Sequence, residues 1–349
     1  MKPTSQNDYL LKDYSNNIKI TSRAVFTENG LEADFAGGGF ACVVNCEGNV
    51  DLAFDWSGAP GLIGVIINDD FDNISLFKVT EDGEQTITIA EKLEKDNYKI
   101  EVVKQNPHYI NQIIFKSLSL NGDLLQRPKE KEIKLQFIGD SISCGVGVLS
   151  TDRIGCGTDG FEDASFYSYN AYCTRKLNGE MPTCALPGYG YIFGYSNGVG
   201  EDVYQYIDKA MVTKDIDYNN SEYNAAVVVI EIGTNDYNYV LNHEIIVPDN
   251  EIDKAVQKYI DKIRSYNTNC KIVIMGTFSF DRDDFNLDNK TGCHYIKLEN
   301  AIKRAVSSDE KTYFFNPPRT TLNGRGYHPN KTDAKIIGES LADFIKNLF

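Results

Sequence analysis

Apolar and polar positions change rhythm once along this chain. From about residue 20 to residue 127, short alternating runs are broken by turn residues: "RAVFTENGLEADFAGGGFACVVNCEGNVDLAFDW", "IGVIINDDFDNISLFKV", "GEQTITIAE", "NYKIEVVKQ" and "NQIIFKSLSLNGDLL". Alternation puts every second side chain on one face, so these runs predict half-buried strands, with the Gly-containing breaks as their turns. The expected first domain, residues 1–128, is an all-β, jelly-roll-like antiparallel sandwich. Pro128 and the charged "KEKE" after it read as a linker.

Beyond residue 132 the strands become continuous and apolar: "IKLQFIG", "AAVVVIEIG" and "CKIVIMGTFS". Longer stretches with helical spacing alternate with them: "SFYSYNAYCTRKLN", "EIDKAVQKYIDKIRSYN", "YIKLENAIKRAVSS" and "TDAKIIGESLADFIKNLF". Strands apolar throughout are buried on both faces, so residues 129–349 are expected to form a three-layer α/β domain with a mostly parallel sheet. Ligands in such sheets sit at the carboxyl ends of the strands. Ser141 falls at one such end, and "GTND" at 233–236 falls at another.

Composition narrows the class without choosing a function. The 349 residues are 42% hydrophobic and 24% charged, as in ordinary globular proteins. Fifty acidic against thirty-five basic side chains give a formal charge of −15, which repels phosphate backbones and anionic lipid. Nucleic acid and membrane surfaces are therefore not expected partners. Eight cysteines, at 42, 46, 144, 156, 173, 184, 270 and 293, include no C-x-x-C pair and read as reduced thiols. Cys42 and Cys46 lack a matching Cys/His pair, so no metal site is expected. The N-terminus lacks an apolar run of signal-peptide length, and "AAVVVI" at 225–230 is too short to span a bilayer. A cytoplasmic address is expected, or a secreted one if a leader has been removed.

Four short pieces carry candidate chemistry: Gly139-Asp140-Ser141, "PGYG" at 187–190, Gly233-Thr234-Asn235-Asp236, and "GYHPN" at 326–330. A serine hydroxyl becomes a nucleophile only when a base takes its proton. Of the four histidines (108, 243, 294 and 328), His328 stands in a glycine-rich loop leading into the last helix, where a base can be aimed. Asn235, the N–H of Gly188 and the N–H of Ser141 can supply donors to a developing oxyanion. Each piece has an ordinary structural reading beside this one. Ser141 can cap a helix, "GTND" can be a strand-to-helix turn, "PGYG" a tight turn, and His328 a surface residue. Asp140 reads as a support or turn residue.

Taken together and in order, "FIGDSI", "PGYG", "VIEIGTND" and "YHPN" resemble the four blocks of the SGNH (GDSL-type) hydrolases, over roughly residues 133–349. The resemblance implies that Ser141 is the nucleophile, His328 the base, and Gly188, Asn235 and the Ser141 N–H the oxyanion hole. Gly190 is the second choice to Gly188. A β-sandwich ahead of such a domain, with His-Pro after the last glycines, resembles carbohydrate esterase family two. That implies removal of acetyl groups from sugar hydroxyls of plant polysaccharides such as xylan or glucomannan, or of their oligosaccharides, with no metal or other cofactor. The expected partner is an acetylated carbohydrate, and a homo-oligomer is left open. Tyr189, Tyr191, Tyr237 and Tyr327, close to the motifs, are candidates for stacking on a sugar ring. One position departs from the family pattern. Where an aspartate would stand three residues before the histidine, this chain has Arg325. A backbone carbonyl near residues 325–327 or a remote carboxylate then orients His328, or the pair works as a Ser–His dyad. The rivals are a lysophospholipase or thioesterase on the same scaffold, and a carbohydrate-binding protein with a decayed site.

Overall fold

The alternating half of the chain does form strands, but longer ones than its turn signals suggest. The structure, a computed structural model, describes residues 6–154, 160–195, 198–277 and 292–349, without the side chains of 198–199 and 292–295. The antiparallel part contains β1 (Asn7–Leu10), β2 (Lys19–Ile20), β3 (Val25–Thr27), β4 (Gly30–Ala33), β5 (Gly39–Gly58), β6 (Gly61–Ile67), β7 (Ser75–Val79), β8 (Gly83–Lys104) and β9 (Asn111–Leu124). Their order is β3-β4-β9-β5-β8-β6-β7, with β1 on β9 and β2 on β5. The sequence predicts a turn at "CEGNV"; β5 instead runs through it as a bulge, with register shifts between Cys46 and Asp51. Phe40, Cys42 and Val44 before the bulge and Leu52, Phe54 and Trp56 after it share one parity and one buried core. The bulge bends the strand without flipping its face, so both halves wrap the same apolar interior. "GEQTITIAE" and "NYKIEVVKQ" likewise merge into β8.

The chain divides into two compact units, and the division is not a single cut. The first unit is Met1–Glu130 together with Gly157–Phe166 and Ala210–Ile216; the second is Lys131–Cys156, Tyr167–Lys209 and Asp217–Phe349. Buried polar groups fasten the two returning segments to the first unit. Asp34 accepts from the N–H groups of Val212 and Thr213, each at 2.8 Å. Gln105 accepts from the N–H of Phe166 at 2.9 Å.

The second unit is a parallel sheet covered by helices. Its strands are β10 (Ile133–Gly139), β11 (Gly179–Glu180), β12 (Thr183–Ala185), β15 (Val227–Glu231), β16 (Lys271–Met275) and β17 (Thr312–Phe315), and a small antiparallel pair, β13 (Phe193–Gly194) and β14 (Gly198–Val199), stands apart. The order is β11-β10-β15-β16-β17, with β12 also on β10, so β10 is interior. The helices are α1 (Ser141–Cys144), α2 (Tyr169–Lys176), α3 (Asn220–Tyr223), α4 (Thr234–His243), α5 (Asp249–Tyr266), α6 (Gly292–Ser308) and α7 (Lys331–Lys346). Leu135, Phe137, Val227, Val229 and Val273 pack against Tyr169 and Cys173 of α2 and Ile337, Leu341 and Ile345 of α7. That spacing on α7 is one apolar helical face, and each large aliphatic buried there contributes about 2 kcal/mol. Ile138, Val228, Ile230, Ile272 and Ile274, of the opposite parity, are equally buried, so both sheet faces are covered. Among the described residues no helix is long and apolar enough to cross a membrane.

Candidate active site

The four candidate pieces all leave carboxyl ends of strands of the parallel sheet. β10 ends at Gly139 and the chain turns at Asp140, whose Oδ1 accepts from the N–H of Ile142 at 2.9 Å. This cap starts α1 with Ser141 as its first residue, where the backbone N–H has no acceptor inside the helix. Asp140 is therefore a support for the serine, wholly buried beneath it.

His328 reaches Ser141 from the loop between β17 and α7. Its Nε2 lies 2.7 Å from Ser141 Oγ, and its Nδ1 lies 2.8 Å from the carbonyl oxygen of Arg325. A carbonyl only accepts, so Nδ1 carries the proton and Nε2 presents its lone pair to the hydroxyl. Of the orienters that the sequence leaves open for His328, the backbone carbonyl stands in place. The loop can fold back this way because Gly326 takes φ +62°, a left-handed conformation costly for other residues. Further bonds fix it: Gly324 N–H to the His328 carbonyl at 2.8 Å, and Gly326 N–H to the Arg153 carbonyl at 3.0 Å. Asp333 accepts from the N–H groups of Thr321, Asn323 and Asn330, tying the loop to the start of α7. Burial of the ring holds the His328 pKa below its usual 6.5, and the Arg325 charge adds to this, while the bond to the Arg325 carbonyl opposes it. The imidazole is neutral at pH 7, as a base must be.

The expected oxyanion donors are placed unevenly. Gly188 takes φ +86°, and among the described residues its N–H has no protein acceptor. Gly190 is different: its N–H donates to the Glu201 carbonyl at 3.1 Å, which spends the donor. Asn235 is the second residue of α4, and its Nδ2 donates to the Tyr189 carbonyl at 2.9 Å and to Asp140 Oδ2 at 3.2 Å. The amide expected to face an oxyanion thus has both hydrogens directed at protein oxygens, the longer bond being to Asp140. Asp236, beside it, accepts from the N–H groups of Tyr191, Ile192 and Phe193 at 2.7, 2.7 and 3.0 Å. It clamps the loop that carries Gly188. Burial pushes Asp236 up to about 6, against the pull of those three donors.

The tyrosines separate by exposure. Tyr327 is 43% exposed, with the Arg153 guanidinium 5.2 Å above its ring. Tyr189 is half-buried and meets Tyr206 edge to face at 5.9 Å. Tyr237 and Tyr191, at 5% and 1% exposure, are core residues, with little ring surface left for a sugar. His243 is exposed and stacked on Tyr239, His108 lies in the first unit, and the side chain of His294 is outside the described residues.

One group the motifs do not flag lies beneath the serine. Glu231 ends β15 at 1% exposure, and its Oε2 accepts from Ser143 Oγ at 2.9 Å, which in turn lies 2.9 Å from the Tyr169 hydroxyl. Its carboxyl is a buried neighbour of that of Asp140, and each affects the other's titration. A glutamate inside the otherwise apolar run "AAVVVIEI" is the signal that marks it, because a charge there needs a partner.

Known proteins match this frame. Residues 137–334 match the GDSL-like Lipase/Acylhydrolase family, from the strand before Ser141 into the helix after His328. The cellulase/esterase CelE of Acetivibrio thermocellus is 28% identical over 65% of this chain and 27% of its own length, so the chain spans about a quarter of that relative. The acetylxylan esterase / glucomannan deacetylase of Cellvibrio japonicus is 23% identical over 77% of each. A family two carbohydrate esterase from Clostridium thermocellum, solved in complex with cellohexaose, superposes with a TM-score of 0.81 at 21% identity over 95% of this chain and 98% of that one. The likeness in fold agrees with the family-two layout expected from the sequence. With more than half its length in the matched segment, and with Ser141 and His328 both inside it, the chain belongs to the GDSL-like lipase/acylhydrolase family.

Proposed function

We propose that the chain is a serine esterase that removes acetyl groups from O-acetylated sugars, working through a Ser141–His328 dyad. The observation that carries this reading is the 2.7 Å contact from Ser141 Oγ to His328 Nε2, with Nδ1 held by the Arg325 carbonyl. Ser141 Oγ attacks the acetyl carbonyl while Nε2 takes its proton. The N–H groups of Ser141 and Gly188 receive the oxyanion, joined by the Asn235 amide, which shares with it the hydrogen of its longer bond to Asp140. The imidazolium returns the proton to the departing sugar oxygen. Water, deprotonated by the same nitrogen, then releases acetate and restores Ser141.

The acetylated-sugar substrate is supported by the printed activity of the Cellvibrio japonicus relative and by the cellohexaose complex of the structural neighbour. Tyr327 and Tyr189 are the rings best exposed to meet a sugar, which pairs an apolar face with polar edges. A cytoplasmic address would make imported acetylated oligosaccharides the substrate rather than polymer. The test is acetate release from acetylated xylan, acetylated glucomannan and their oligosaccharides, with wild type beside Ser141→Ala. Wild type is expected to release acetate and Ser141→Ala to release essentially none. Preference for octanoyl over acetyl esters would favour the lysophospholipase or thioesterase alternative. Binding of the glycans with no turnover would favour a decayed site.

A further inference from the structure

The carboxyl pair under the nucleophile has no part in the chemistry just described, yet its geometry is specific. Asp140 and Glu231 are 0% and 1% exposed, and Glu231 pairs with Gly139 across β15 and β10, which brings its carboxyl next to that of Asp140. Two carboxyls in contact inside a protein cannot both be anions, so one proton lies between them. The surrounding donors say whose it is. Both oxygens of Asp140 already receive N–H groups, Oδ1 from Ile142 and Oδ2 from Asn235. On Glu231, Oε2 receives the Ser143 hydroxyl, while Oε1 is buried and receives no donor among the described residues. Negative charge on Asp140 is met by a donor at each oxygen, whereas on Glu231 Oε1 it would be buried without one, so the proton belongs on Glu231.

Resting on the esterase reading above, we propose that Glu231 is a positioning residue: it stays protonated, donates to Asp140, and so keeps Asp140 the anion that orients Asn235 and the first turn of α1. Burial supports the same allocation, lifting Asp140 to about 7 and Glu231 well above the carboxylate range. The other groups facing the pair are Asp236 from α4, Tyr169 from α2, Tyr191 from the loop after β12, and Ser143 from α1. The acid limb of activity then has two steps. An upper one, near 7, is the pair gaining its single negative charge, and a lower one, below 6.5, is His328.

Glu231→Gln offers the same acceptor to Ser143 and the same kind of donor to Asp140 as a neutral acid. It should hold kcat and KM within about threefold of wild type and leave the upper step in place. Glu231→Leu removes the donor that favours the Asp140 anion. The upper step should move to higher pH and kcat should fall on the order of 10²-fold, the cost of one lost oxyanion donor, with KM little changed. Infrared spectra at about pH 8, where ordinary carboxyls are ionised, should show a protonated-carboxyl band in wild type that Glu231→Gln lacks. A Glu231→Gln variant as damaged as Glu231→Leu, or the same band in wild type and Glu231→Gln, would overturn the proposal. So would a Glu231→Leu variant with wild-type kcat and pH profile. Should Glu231→Leu not fold, the Gln variant and the band still decide. Absence of ester hydrolysis in wild type would sink the esterase reading instead, and the infrared comparison does not depend on it.

Discussion

A histidine can be oriented by any good acceptor, and in this chain the acceptor is main chain. Replacing the aspartate of the family pattern with Arg325 therefore leaves the Nδ1–H bond intact, because it runs to the carbonyl and not to the side chain. Arg325→Ala should keep kcat within about threefold. It also removes a cation that disfavours the imidazolium, so the lower acid step should move to higher pH. A pH–rate profile checks both, and a shift to lower pH would contradict the account. The serine, the histidine and the departure at 325 were legible in the motifs, since each is a residue type at a strand end or loop. What holds the ring was not, because a carbonyl has no sequence signature. Nor was the spending of the Gly190 N–H and of both Asn235 hydrogens, which depends on residues far off in the chain such as Glu201.

Strands and helices aim these groups, and short polar clamps finish the aiming. Asp236 fastens the Gly188 loop to α4, and Asp333 fastens the His328 loop to α7. Asn330 and Asp333 form a reciprocal capping box, so Asp333→Ala should cost about 1–2 kcal/mol of stability. It should also lower kcat more than it raises KM, because the loop that drifts carries the base and not the substrate. Denaturant unfolding beside steady-state kinetics checks this; unchanged kcat with reduced stability would confine Asp333 to a structural role. The long helices and three of the parallel strands were legible from periodicity. The short β11, β12 and β17, two, three and four residues long, were not, because segments that brief carry no period. β5 and β8 were divided too finely: in β5 the glycine of a bulge looks like the glycine of a turn, and in β8 the charged "KLEKD" interrupts the alternation.

Across the whole molecule, the change of rhythm at residue 132 tracks a real change from antiparallel to parallel architecture. The two segments that return to the first unit were invisible to that criterion, because they are too short to carry a period and the polar groups that fasten them, Asp34, Gln105 and Asn106, lie far off in the chain. The first unit also contains His108, whose buried Nδ1 has no hydrogen-bond partner among the described residues and whose pKa burial pushes down to about 4. The unfolded chain protonates this imidazole near its ordinary value of about 6.5, so stability falls as pH drops from there towards 4. His108→Gln should lose less Tm than wild type between those limits, and an equal loss in both would contradict it. Every functional statement returns to one contact in the second unit, Ser141 Oγ against His328 Nε2. Its most direct test is peptide mass spectrometry after treatment with an organophosphonate ester. The expected result is one adduct, on Ser141, formed in wild type and abolished in His328→Ala; acetyl ester hydrolysis that continues while Ser141 stays unmodified would contradict it.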